Sequence, residues 1–117
     1  MTRKKLKKIK REIAAARKRT NTYRDLARIA SSLERRQAKG SEVRGKEPAF
    51  ISMAFPDASP ITIPNHAGKD IKRGTQHNIL NQFEGDVFRF EETLDEDSDN
   101  SDKERDNGND EEEGYIN

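Results

Sequence analysis

The charges of this chain are sorted along its length, and that sorting limits where a core can form. Residues 1–48 hold 17 Lys and Arg against 5 Asp and Glu, a net of +12. Residues 49–90 hold 4 of each, and residues 91–117 hold 2 against 13, a net of −11. The blocks cancel to a formal net charge of +1. Charged residues make up 38% of the 117 positions and the apolar set only 30%. A chain this polar cannot gather its whole length around one core, so part of it is expected to stay unpacked.

Several classes drop out at once. There is no cysteine, which removes disulfide scaffolds, thiol nucleophiles and Cys-based zinc sites. No run approaches the roughly 18 apolar residues of a membrane span, so no membrane partner is expected. The opening Met-Thr-Arg-Lys-Lys is not followed by an apolar region, so a secretory signal is not expected and a cytoplasmic protein is. The basic first block calls for a polyanionic partner such as RNA or DNA.

Periodicity divides the chain into three zones: a basic helical arm at 1–21, a globular domain at 22–94 and an acidic tail at 95–117. In the arm, Leu6, Ile9, Ile13 and Ala16 recur at spacings of 3, 4 and 3, one face of a helix over about 3–19. Lys and Arg cover its other faces and repel one another at i,i+4, so this helix is expected to need a partner. Thr20-Asn21-Thr22 breaks it, and Thr22 with Asp25 resembles a capping box for a second helix reaching Glu34 or Arg36. A polar, basic connection follows. Residues 49–55 read as a strand, 56–60 as a turn and 61–63 as a short edge strand ended by Pro64. Thr75 reads as the N-cap of a helix carrying Ile79, Leu80, Phe83, Val87 and Phe90, with a break possible at Gly85. The tail is rich in Asp, Glu, Asn, Ser and Gly without periodicity and is expected to be disordered.

Chemistry concentrates between the last strand and that helix. Ile61-Thr62-Ile63-Pro64-Asn65-His66-Ala67-Gly68-Lys69-Asp70-Ile71-Lys72-Arg73-Gly74-Thr75 leads into Asn78-Ile79-Leu80. A histidine, a glycine turn and three cations stand just before a helix start, whose free N–H groups attract phosphate. The plain alternative is a solvated loop with a cap.

This stretch resembles the signature of the HicA toxin family, from about Ile61 to Gln82. In that family a strand ends in Ile/Val-Pro, then come a His, a Gly, Lys/Asp-Leu/Ile-Lys, Gly-Thr and a helix containing Ser/Asn-Ile-Leu. Residues 22–55 follow the family's order more loosely, and the arm and the tail lie outside it. The resemblance implies an α+β fold like the double-stranded RNA-binding domain, helix–strands–helix with a small antiparallel sheet. It also implies an mRNA interferase, the endoribonuclease toxin of a toxin-antitoxin system, restrained by a HicB-like antitoxin. The family's Gly-Ser-His histidine has no counterpart: the corresponding places read Gly40-Ser41-Glu42 or Gly45-Lys46-Glu47.

Metal-independent RNA cleavage needs a base for the 2′-OH proton and an acid for the leaving oxygen, and histidine suits both. His66 is the candidate catalytic residue, with Glu42 or Glu47 as alternative bases. Lys39, Arg44, Lys46, Lys69, Lys72 and Arg73 are the candidate phosphate contacts. No cofactor is expected, and His66 and His77 among scattered carboxylates do not make a metal signature. His77 reads as solvent-facing. Phosphate loops of Walker type and a nucleophile elbow around Ser31, Ser32 or Ser41 are absent. Tyr23, Phe50, Phe55 and Phe83 suit core positions, and Phe88 lies off the stripe. The chain lacks the interleaved aromatic and basic pattern of single-strand stacking platforms, so structured RNA suits it better. Two further readings stand beside the toxin: an inactive RNA-binding module, and an adaptor that docks on an acidic protein through its basic amphipathic helix.

Overall fold

A computed structural model describes residues 1–40 and 47–101, with side chains as far as Leu94. The elements are α1 (Arg3–Arg17), α2 (Tyr23–Ser32), β1 (Arg35–Gln37), β2 (Ala49–Ser52), β3 (Ile61–Thr62) and α3 (Arg73–Ser101). This is a small α+β domain of three helices and one antiparallel sheet in the order β1-β2-β3.

The apolar stripe of α1 is buried in full: Leu6, Ile9, Ile13 and Ala16 all lie in the core. Its partner is α3 of the same chain. Gln76 Nε2 donates to Ala16 O at 3.1 Å, Arg17 meets Glu84 at 3.0 Å, Lys10 meets Glu91 at 2.9 Å and Arg3 donates to Leu94 O at 3.3 Å. The two helices therefore run antiparallel. The thin stripe that makes α1 weak alone is completed by the stripe of Ile79, Leu80, Phe83, Val87 and Phe90.

Local chemistry fixes the helix ends. Thr2 Oγ1 accepts from Lys5 N at 3.1 Å and caps α1. Fully buried Asn21 closes its other end, donating from Nδ2 to Ala16 O at 2.9 Å and to Arg19 O at 3.2 Å. Both carbonyls lie at or just beyond the end of α1, where the helix supplies few donors of its own. The capping box of Thr22 and Asp25 is present with both of its bonds.

The second helix stops earlier than its periodicity suggests. It ends at Ser32, and Glu34 takes φ 63°, a left-handed conformation that no helix continues through. Arg35–Gln37 then form β1, a strand that the sequence reading placed in the helix and its basic connection. The cause is tertiary. Arg35 turns inward and its guanidinium meets Asp86 of α3, with Nε to Oδ2 at 2.6 Å and Nη2 to Oδ1 at 2.9 Å.

Register pairs Arg36 with Ile51 and Gln37 with Phe50, then Phe50 with Ile61 and Ala49 with Thr62. Phe50, Ile61 and Ile63 enter the core, as alternation requires. The strand read over 49–55 ends at Ser52, whose Oγ accepts from Phe55 N at 2.9 Å and bends the chain. Tyr23 and Phe55 pack on the core half-buried. Their rings lie 6.1 Å from Phe50 and 4.7 Å from Phe90. Arg89 stacks 4.3 Å over the Phe55 ring and donates to Asp57 at 3.1 Å. That hydrogen bond holds the Asp57 carboxyl below its usual range.

Helix α3 begins two residues before the expected cap. Gln76 N bonds Lys72 O at 2.8 Å, so Thr75 sits inside the first turn. Buried Ile71, whose N–H donates to Asn21 O at 2.8 Å, aims the chain into the helix before Thr75 is reached. The helix passes Gly85 unbroken and reaches Ser101. Residues 95–101, the start of the acidic tail, form the last turns of α3. The rest of the tail lies outside the described residues.

A Cβ added at Gly85 would meet nothing within 4 Å. Gly85→Ala is therefore expected to stabilise the fold by about 0.5–1 kcal/mol. Thermal melting checks this, and a lowered midpoint would contradict it.

Candidate nucleic-acid interface

The loop between β3 and α3 is built as a turn with two anchors. Ile63, fully buried, follows β3 directly, and its N–H donates to Pro48 O at 3.0 Å. Ile71 is buried at the other end. Between them, Lys69 N bonds His66 O at 3.0 Å. Ala67 and Gly68 both take positive φ, 52° and 79°. A tight turn with left-handed conformations at both central positions explains the glycine.

This construction exposes His66, Lys69, Lys72 and Arg73. Among the described residues none of the three cations is in an ion pair. Lys72 and Arg73 stand where α3 begins, beside its free N–H groups and the positive end of its dipole. Pairing of Ile63 with Pro48 sets the chain before β2 alongside the chain after β3. Glu47 therefore lies by the loop, its Oε2 3.7 Å from His66 Nε2. Both side chains are open to solvent, at 63% for His66 and 45% for Glu47. An imidazole and a carboxylate held side by side can give and take a proton.

The other sequence candidates divide. Lys39 is exposed just beyond β1. It follows Ala38, whose N–H donates to Ala49 O at 2.8 Å, so it shares the sheet end that carries Glu47 and His66. Arg44, Lys46 and Glu42 lie outside the described residues. His77 is exposed but takes part in an inter-helix contact, its Nδ1 3.1 Å from Arg17 Nη1. Arginine can only donate, so Nδ1 is the acceptor. The same guanidinium reaches Asn81 Oδ1 at 2.8 Å and Glu84 Oε2 at 3.0 Å. Local periodicity could not show that a cation 60 positions away would fill this place.

A cleft of about 450 Å³ opens beside the turn, lined by Thr22, Tyr23, Arg24, Ala27, Asn65 and Gly68. Tyr23, expected in the core, is half-buried and presents part of its ring there. Phe88 is 61% exposed, as its place off the stripe suggested. Among the described residues no three His, Asp or Glu come together to hold a metal ion, and no helix is long and apolar enough to cross a membrane. No family model, curated protein or solved structure matches the chain.

Proposed function

We propose that this chain binds RNA on the loop around His66 and cleaves it, as the HicA-like toxin component of a pair restrained by a HicB-like antitoxin. The observation that carries the reading is the approach of His66 Nε2 to Glu47 Oε2, 3.7 Å, beside Lys69, Lys72 and Arg73. Phosphates held by the cations would bring a ribose to the pair. Glu47 then accepts the 2′-OH proton while that oxygen attacks phosphorus, and His66 gives a proton to the departing 5′-oxygen. The order α2–β1–β2–β3–α3 supports a double-stranded RNA-binding-domain-like reading of the core. The motif at 61–82 supports the HicA resemblance.

A second reading keeps the binding and drops the chemistry. It is favoured by the absence of the family's Gly-Ser-His histidine and by the exposure of His66, which no packing fixes in place. The adaptor reading loses ground, because the apolar face that a helix-in-groove contact needs is already buried.

Incubation of purified protein with mixed RNA in EDTA, beside His66→Ala, separates these readings. Cleavage lost in the variant is expected. Salt-sensitive binding without cleavage would leave the second reading, and neither binding nor cleavage would overturn both.

A further inference from the structure

Two sets of cations on α1 and at its C-terminal cap are treated differently by the structure. Lys10 and Arg17 flank the seam with α3 and are neutralised there by Glu91 and Glu84. Lys4, Lys7, Arg11 and Lys18 recur at spacings of 3, 4 and 7, opposite the buried stripe, with Lys8 at their side. All five are exposed, and among the described residues none is in an ion pair. With Thr2 and Lys5, four of these five line a shallow groove of about 580 Å³.

This row joins the loop. Gln76 Nε2 donates to Arg19 O at 2.8 Å as well as to Ala16 O. Asn21 O accepts from Ile71 N. The chain at 18–21 is thereby clamped against 71–76, which sets exposed Lys18 and Arg19 next to the segment of Lys72 and Arg73. Two basic features some 50 positions apart in sequence become one ridge. Its α1 portion alone is about 22 Å long at 1.5 Å per residue.

We propose that this ridge is a second contact surface for duplex RNA, which lies along α1 and leads to the His66 loop. The inference rests on the RNA-binding reading above and extends it to a helix outside the resemblance. The chemistry selects the partner. The ridge offers cations and, at Ala14 and Ala15, only small side chains. It has no aromatic group on which an unpaired base could stack. It has none of the aromatic anchors that dominate protein interfaces. An array of cations without anchors suits a regular phosphate backbone read by charge and shape.

The test is equilibrium binding of the full chain to a 16-base-pair RNA duplex over a range of KCl concentrations. A single strand of equal length and poly-glutamate as competitor serve as controls. The variants are Lys4→Gln/Lys7→Gln/Lys8→Gln/Arg11→Gln on the ridge and Lys69→Gln/Lys72→Gln/Arg73→Gln on the loop, each verified by an unchanged melting curve. The ridge variant is expected to lose at least about tenfold in duplex affinity and about 2–4 units of salt slope. Single-strand affinity should fall less, and poly-glutamate should displace the duplex poorly. Duplex binding unchanged in the ridge variant but weakened in the loop variant would overturn the ridge and leave the RNA reading intact. Displacement by poly-glutamate at equal charge would also overturn it, marking a surface for acidic protein. No salt-dependent RNA binding by the unmodified chain would remove both inferences.

Discussion

Asp86→Ala is expected to remove about 3–5 kcal/mol of stability, the largest loss from any single substitution considered for this fold. The Arg35 and Asp86 side chains are 2% and 5% exposed. Arg35 reaches both carboxylate oxygens. Its Nη1 donates to Phe50 O at 2.9 Å and Ser59 O at 3.2 Å. One guanidinium thus ties α3, β2 and the chain before β3 to β1. Deleting the carboxylate leaves a cation buried without its counter-charge, which costs far more than the pair contributes net. Against a total of about 5–15 kcal/mol for a small domain, the variant would be close to unfolding. Urea denaturation should show a midpoint lower by at least about 1 M. The double variant Arg35→Met/Asp86→Leu should recover most of the loss, because no buried charge remains. A single variant within about 1 kcal/mol of the parent would show that the pair does not hold the sheet to α3.

His66→Ala is expected to lower RNA cleavage by about 10²–10⁴, the usual worth of a positioned acid or base. RNA affinity should change little, since Lys69, Lys72 and Arg73 remain. Glu47→Gln separates the two roles. If the carboxylate takes the 2′-OH proton, this variant should lose cleavage by a similar factor while RNA affinity is retained. Equal rates in His66→Ala and the parent would remove His66 from the chemistry. An unchanged cleavage rate in Glu47→Gln would remove Glu47.

Much of the fold was legible where its causes are local. The stripe of α1, the Thr22–Asp25 box, the turn at 56–60 and the apolar face of α3 each follow from spacing within a dozen residues. What escaped was long-range. β1 reads as polar and basic, and only Asp86, 51 positions on, lets Arg35 enter the core. The partner that α1 needs could be inferred from its thin stripe, but not that α3 supplies it. Thr75 has the chemistry of a cap, yet Ile71 and Asn21 start the helix earlier. The site divides in the same way. His66, Gly68 and the three cations stand together in sequence because a turn places them. The contact of Glu47 with His66 depends on Ile63 pairing with Pro48, and the ridge depends on Gln76 reaching Ala16 and Arg19.

The most direct test of the central claim, that the His66 loop holds RNA by its phosphates, is the salt dependence of RNA binding. Affinity of the parent and of Lys69→Gln/Lys72→Gln/Arg73→Gln for single-stranded RNA would be measured from about 50 to 200 mM KCl. Three lost phosphate contacts should reduce the slope of log affinity against log salt by about 2. An equal slope in parent and variant, or no measurable RNA binding by the parent, would contradict the account.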